Sequence, residues 1–353
     1  MQKTVVVGLS GGVDSSVSAY LLKQQGYNVI GLHMRGENIE TRDEDEKQVR
    51  SLCEILGIQC KIVDYKDHMQ IVKDYFIKEY LAGRTPNPCV ICNREVKFKP
   101  FLKIMEELGA DYFATGHYAQ IVHEGAKHIL KKAVDQDNDQ TYFLCQLSQE
   151  QISKVLFPLG ALTKAEVKQI AEENNLVLKG TKESYDICFL GSQKFKDYMS
   201  KNYPEKSGDI VDVSTKAVVG KHSGISKYTI GQRRGLNIGG INGCDAARWF
   251  VVKKDVKANT LYVSCGESEG MFSSSCVVTD FNWLVDCNSN KFNANVKLRY
   301  RQPDQKTEVE IIDEHTIKLT FKEKQRAVSL GQFAVLYGED GTCFGGGVIS
   351  SSL

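Results

Sequence analysis

No stretch of this chain approaches the roughly 20 consecutive apolar residues that a membrane-spanning helix needs. Met1-Gln2-Lys3-Thr4 leads straight into an apolar run, without the basic and hydrophobic regions of an export signal, so a cytosolic location is expected. An excess of charge of one sign is also missing. The 353 residues carry a net charge of only +1, which excludes nucleic-acid binding through an overall field and leaves it to local basic patches. There is no internal repeat and no low-complexity segment. Cysteine, by contrast, is plentiful: eleven residues, an odd number. Without an export signal they read mostly as reduced core residues, and any special ones must be found by spacing. A last absence is informative. No Gly-Lys-Ser/Thr follows the N-terminal glycines, which excludes the common nucleotide triphosphatase loop.

What stands there instead is Gly8-Leu9-Ser10-Gly11-Gly12-Val13-Asp14-Ser15-Ser16, directly after the apolar run Thr4–Val7. A buried strand, a glycine-rich turn and a helix opening at Val13 together grip phosphate. Glycine lets the backbone approach oxygen atoms, and unpaired N–H groups at a helix start hold negative charge. Ser-Gly-Gly-Val-Asp-Ser resembles the loop of enzymes that split ATP into AMP and pyrophosphate. That resemblance implies a pyrophosphate cradle with Asp14 near a magnesium ion.

Strand patterns at Thr4–Leu9, Asn28–Met34, Cys60–Asp64 and Tyr112–Thr115 alternate with helical patterns at 13–25, 43–56, 67–82 and 94–108. Such alternation predicts a doubly wound, mostly parallel α/β sheet with the glycine loop at its carboxyl edge. Ser148-x-x-Gln151 and Thr163-x-x-Glu166 are capping boxes that open two more helices. The character changes near residue 195, where short strands and glycines take over. From about 275 apolar and polar residues alternate, as in Val296, Leu298 and Tyr300 against Lys297, Arg299 and Arg301. This period of two predicts a C-terminal antiparallel β-barrel. The expected domains are 1–195, catalytic and α/β; 196–270, small, central and mostly β; and 271–353, the barrel.

Cys89 and Cys92 sit three apart in Thr85-Pro-Asn-Pro-Cys-Val-Ile-Cys-Asn-Arg94, on a proline-stiffened loop running into a helix, and Cys188 follows a hundred residues later. A helix start favours the thiolate. Half a zinc site, a redox pair, and a sulfur-handling or cluster-binding trio all remain open, and the ATP loop makes sulfur transfer the economical account.

Further motifs follow in order: Gly116-His-Tyr-Ala119, Asp139-Gln-Thr-Tyr-Phe-Leu144, Asp186-Ile-Cys-Phe189, Tyr228-Thr-Ile-Gly-Gln-Arg-Arg-Gly235 and Arg299-Tyr-Arg-Gln302. With the two loops above, and over essentially the whole chain, the sequence resembles the tRNA-specific 2-thiouridylases. The resemblance implies an adenine-nucleotide alpha-hydrolase-like catalytic domain that thiolates C2 of the wobble uridine, U34, in tRNA(Lys), tRNA(Glu) and tRNA(Gln). ATP with magnesium would adenylate the uracil O2. Gly8 to Ser15, Met34 and Gly116 would bind ATP. Cys188 would carry a persulfide, and Cys92 would be the nucleophile that closes a Cys92–Cys188 disulfide. Asn87, Pro88 and Cys89 would border the flipped base. His117, Asn138, Asp139, Gln140, Arg299, Tyr300 and Gln332 would touch tRNA, and Arg233-Arg234 could also reach phosphate. A cysteine desulfurase or a relay protein would supply sulfur. Many members of this family carry aspartate where this chain has Cys89, so an acid–base role there is not carried over. Cys89, Cys92 and Cys188 could instead hold a 4Fe–4S cluster with one open iron. A small-molecule adenylating ligase with the same loop needs neither a basic barrel nor the cysteine trio. A non-catalytic RNA-binding module does not need intact glycines.

Overall fold

β1 (Thr4–Gly8) shows how the N-terminal layer forms. Val5 and Val7 face one apolar cluster and Val6 the opposite one, so the strand is buried on both sides, as a parallel sheet requires. In the computed structural model, which describes residues 2–35, 39–64, 66–125, 127–177, 188–190, 193–238, 248–287 and 289–353, β1 is followed by α1 (Val13–Gln24), β2 (Asn28–Arg35), α2 (Ile39–Leu56), β3 (Gln59–Asp64) and α3 (Lys66–Leu81). The side chains at 39–42, 66, 67 and 188 lie outside that description. Next come α4 (Pro88–Ile91), a π-helical segment Cys92–Phe98, α5 (Lys99–Glu107), β4 (Tyr112–Ala114), the hairpin β5 (Ala119–Glu124) and β6 (Lys127–Lys132), α6 (Gln149–Lys154), β7 (Val155–Leu156) and α7 (Lys164–Glu173). The sheet is parallel throughout, in the order β3-β2-β1-β4-β7. Chain direction across the sheet reverses between β1 and β4, so the loops after these two strands meet at the switch point where such folds bind ligands.

Both capping boxes form as expected, opening α6 and α7. The β5–β6 hairpin, β7 and the π-helix are additions that the sequence patterns did not reveal. Helix α8 (Phe195–Asn202) leads to a four-stranded central sheet of β8 (Gly208–Asp212), β9 (Val218–His222), β10 (Trp249–Asp255) and β11 (Thr260–Cys265). β12 (Phe272–Trp283), β13 (Lys291–Lys297), β14 (Gln305–Asp313), β15 (Thr316–Arg326), β16 (Phe333–Tyr337) and β17 (Cys343–Ser352) close the antiparallel barrel. The predicted α/β, small-β and barrel architecture is therefore the observed one. Among the described residues no helix is long and apolar enough to cross a membrane. Cys265 is disulfide-bonded, an exception among cysteines expected to be mostly reduced.

The barrel and the α/β layer share one core. Phe333, Val335, Tyr337 and Cys343 of the barrel pack in the same cluster as Phe98, Phe113, Tyr142 and Cys145. Three amide side chains stitch the domains further. Gln146 donates to Asp280 O (3.0 Å) and Gly346 O (2.6 Å), Asn282 to Cys145 O and Leu147 O (3.0 and 2.9 Å), and Gln332 to Thr85 O and Pro86 O (2.8 and 3.2 Å).

Candidate functional site

The glycine loop organises itself around its serines. Ser10 N–H donates to Ser15 Oγ (3.2 Å) and Gly12 N–H to Ser10 Oγ (3.3 Å), while Ser15 and Ser16 donate to Gly12 O (3.0 and 2.9 Å). Gly11 takes φ +80°, a conformation that glycine adopts without strain. Gly12 occupies the cap position of α1 and brings no side-chain cap, so the first N–H groups of the helix stay available to an anion. Buried Leu9 anchors the turn: its N–H donates to Leu32 O (2.8 Å) and its carbonyl accepts from His33 Nδ1 (2.9 Å).

Asp14 is the point where the structure adds most. Lys164 Nζ lies 2.8 Å from both carboxylate oxygens, and Tyr118 donates its hydroxyl to Oδ1 at 3.0 Å. The resemblance implies Asp14 near magnesium; here its charge is already answered by an ammonium group. Among the described residues no three His, Cys, Asp or Glu side chains converge as metal ligands. The arrangement does not fit a metal held by the protein at Asp14.

Gly116, after β4, is held by backbone contact. A Cβ there would lie 2.9 Å from Asp14 C and Ser15 N, so the glycine lets the β4 loop press against the start of α1. His117 follows, with Nδ1 2.8 Å from Thr115 Oγ1 and its ring between Phe98 and Phe157 (centroids 6.0 and 6.1 Å). Desolvation, with Lys97 nearby, pushes its pKa well below the usual histidine range.

The segment that follows the cysteine loop reaches the same edge, where Phe98 meets His117. Asn87 Oδ1 accepts from Cys89 N–H (3.2 Å) and caps α4, with Pro88 at its first turn. Cys89 is exposed and Cys92 buried, and Cys92 opens the π-helix. π-helical turns are uncommon and recur at functional sites. Cys92 lies in the cluster against which Met34 and Phe189 pack, and Phe189 also meets Phe76 edge-on at 5.2 Å. Phe189 belongs to the short turn Cys188–Leu190, and the Cys188 side chain expected to carry sulfur lies outside the described residues.

Three family models match in succession: a tRNA methyl transferase HUP domain over residues 3–192, a tRNA methyl transferase PRC-barrel domain over 196–265 and an aminomethyltransferase beta-barrel domain over 273–349. Curated relatives named tRNA-specific 2-thiouridylase MnmA match end to end. The Mycoplasma capricolum protein is 43% identical over 99% of both chains, and the Staphylococcus epidermidis protein is 45% identical over 98% of this chain and 94% of its own. The chain belongs to the tRNA-specific 2-thiouridylase family. The resemblance read from the motifs is thus confirmed, and the chain is an ATP-binding transferase of tRNA modification. Among solved structures, the U34-tRNA thiolase NcsA from Methanococcus maripaludis is similar at 24% identity over 57% of this chain and 68% of that one. Its TM-score is 0.38, too loose to carry an argument.

The residues expected to meet tRNA divide in two. Asn138 and Gln140 are half-buried at the edge of the site, where Gln140 Oε1 accepts from Tyr118 N–H (3.1 Å) and Asn138 bonds Asp135. Asp139 is buried, accepting from Ala133 N–H (3.0 Å) and Thr141 Oγ1 (2.7 Å). Arg299 and Tyr300 do not lie on a barrel strand as the alternation suggested. β13 ends at Lys297, and Gln302 turns the chain by accepting from Leu298 N–H and donating to Arg299 O. Arg299 donates to Ala327 O (2.5 Å), Ser329 Oγ (2.9 Å) and Ile230 O (3.4 Å), which ties the barrel to the central domain. Tyr300 packs against Phe143 with ring centroids 4.4 Å apart and the planes tilted by 43°. Lys297, which the alternation places outward, is buried because the α/β layer covers this face of the barrel. Sequence reasoning in this 2-thiouridylase missed Lys164, Tyr118 and Thr85. Lys164 had one signal, its place directly after the Thr163 cap.

Proposed function

We propose that this chain converts U34 of tRNA(Lys), tRNA(Glu) and tRNA(Gln) to 2-thiouridine. The observation that carries the reading is that Cys92 belongs to the apolar core of the domain bearing the glycine loop, and that Met34 and Phe189 both pack against that core. Nucleotide and sulfur chemistry would then share one pocket. ATP lies with its phosphates on Gly8 to Ser15 and its adenine against Met34, a flexible thioether suited to a flat ring. Magnesium, the expected companion of ATP, would ride on phosphate oxygens, because Asp14 is committed to Lys164. The uracil O2 attacks the α-phosphorus, pyrophosphate leaves, and C2 is left with AMP as a good leaving group. The terminal sulfur of a Cys188 persulfide attacks C2 and AMP departs. The Cys92 thiolate then takes the inner sulfur, which forms the Cys92–Cys188 disulfide and frees the 2-thiouridine. An external thiol resets the pair.

A second reading rests on Cys89, which is exposed three residues from Cys92. Thiolates are the donor set that iron–sulfur clusters take, and Cys89, Cys92 and Cys188 would hold one whose open iron supplies a sulfide.

The deciding experiment is thiolation of unmodified tRNA(Lys) with ATP and magnesium, by iron-free protein with a cysteine desulfurase and by iron-reconstituted protein with sulfide. Product from the iron-free protein supports the persulfide. Product only after reconstitution supports the cluster, and no product with any of the three tRNAs overturns the reading. Cys92→Ala and Cys188→Ala are each expected to abolish product while tRNA binding persists.

A further inference from the structure

Positive charge in this chain is concentrated rather than absent. Residues 196–265 hold twelve Lys and Arg against six Asp and Glu, in a protein of net charge +1. The sharpest part of that island is Gly231-Gln232-Arg233-Arg234-Gly235, between Thr229 and β10. The loop is built, not loose. Gln232 Oε1 accepts from Thr229 N–H (3.0 Å) and its Nε2 donates to Arg234 O (2.9 Å), which braces the turn from inside. Gly231 N–H donates to Val251 O (2.8 Å) and Val251 N–H to Gln232 O (3.0 Å), which fasten it to β10. Gly231 and Gly235 take φ +81° and +72°, values that let the chain turn out and back within five residues. The two arginines at the tip are exposed, and among the described residues neither makes an ion pair.

The described cations behind the tip are engaged locally. Lys196 packs over the Tyr228 ring at 4.7 Å, beside Gly235, and burial together with Lys227 lowers its pKa, so it sits in a positive surrounding. Lys227 Nζ is spent on Ser223 O and Lys254 Nζ on Tyr228 O. Glu205 is bound by Ser226, and Glu267 is paired with Arg326. The position of the loop is as telling as its charge. Thr229 Oγ1 is 3.4 Å from Thr85 Oγ1, in the segment that runs into Asn87-Pro88-Cys89, and Ile230 O receives Arg299.

We propose that Arg233 and Arg234 bind phosphodiester groups of the tRNA strand flanking the target nucleotide, so that the central domain is a tRNA-docking surface alongside the α/β and barrel faces. The inference rests on the function proposed above. The Thr229–Thr85 contact sets the base of this loop against the segment that leads to Asn87–Cys89, and guanidinium groups on a pre-braced loop suit phosphate, which needs fixed donors and no base reading. An acidic sulfur-donor protein is the competing occupant of such a patch, and the test separates the two.

Binding of fluorescent tRNA(Lys) by the full chain would be titrated over a salt series for wild type, R233A/R234A and R233K/R234K, with the KM for the desulfurase measured in parallel. For R233A/R234A the expected result is binding roughly ten- to a hundredfold weaker near 0.1 M salt, with the slope of log affinity against log salt reduced by about two. R233K/R234K should recover most of the slope, and the KM for the desulfurase should not move. Unchanged tRNA affinity and slope would overturn the proposal, as would a raised desulfurase KM with tRNA binding intact, which would assign the tip to the donor protein. Binding is read without turnover. Failure of every tRNA to be thiolated would therefore count against the proposed function and leave this measurement to stand or fall by itself.

Discussion

Lys164 and Asp14 are separated by 150 residues and joined by two 2.8 Å contacts, and both meet Tyr118. The ammonium lies beside the phosphate loop, where its charge can stabilise an incoming phosphate while it stays paired to Asp14. Lys164→Ala is expected to lower kcat/KM for thiolation on the order of a hundredfold, the usual loss for removing one charged stabiliser of a developing anion. Lys164→Arg should recover part of it. The double mutant with Asp14→Ala should cost less than the two single losses combined. His117 yields a prediction of the opposite kind, in stability. Its folded pKa is depressed below the unfolded value near 6.5, so as pH falls through that value the unfolded chain takes up a proton that the native state refuses. Stability contributed by neutral His117 is therefore present above about pH 6.5 and lost progressively below it. Urea midpoints measured from pH 7.5 to 5.5 should fall more for the wild type than for His117→Asn. An equal fall in both would remove His117 as the cause. Much of this site could be read directly from the sequence. Gly8 to Ser15 is a contiguous strand–turn–helix signal, and Asn87-Pro88-Cys89 caps its helix locally. Lys164 could not be read as Asp14's partner, because an ion pair across 150 residues leaves no spacing rule.

At the scale of elements, the contact between the β4 loop and α1 makes Gly116 a sharp probe. Gly116→Ala puts a methyl 2.9 Å from main-chain atoms of Asp14 and Ser15, which have no rotamer to retreat into. The start of α1 must shift, so a weaker ATP affinity measured by calorimetry and a lower Tm are expected together. Unchanged ATP binding would show that the loop tolerates displacement. Thr163 caps α7 one residue before Lys164 and donates to Glu166 in return. Thr163→Ala should cost about 1 kcal/mol in urea unfolding and also raise the KM for ATP, because the cap fixes the helix end that carries the ammonium. Elements also show where the sequence misled. The alternation at 296–301 continues past the true end of β13, because a period of two does not reveal the hydrogen bonds of Gln302 that turn the chain. Cys92–Phe98 looks like ordinary helix, since the extra residue of a π-turn has no side-chain signature.

For the whole molecule, the shared core makes the α/β layer and the barrel one cooperative body. A protein truncated after residue 272 would expose the apolar surface that meets Phe333, Val335 and Tyr337. It is expected to be insoluble, whereas the intact chain should melt in one calorimetric transition. Two separated transitions would refute this. Burial of Lys297 belongs to the same scale, since which face of a barrel is wet depends on its neighbour and not on its strand. The domain boundaries expected at 195 and 270 remain a proposal for how the chain divides.

Gln146, Asn282 and Gln332 each aim an amide NH₂ at two main-chain oxygens across a domain boundary. Such acceptors are indifferent to the side chains that flank them, but they require a donor. Deamidation, the slow spontaneous hydrolysis that ages proteins, would replace two donated hydrogens by a carboxylate facing two carbonyl oxygens. One such event at Gln332 would turn an attachment of the Asn87–Cys89 segment into a repulsion, an irreversible chemical clock set at the seam between domains.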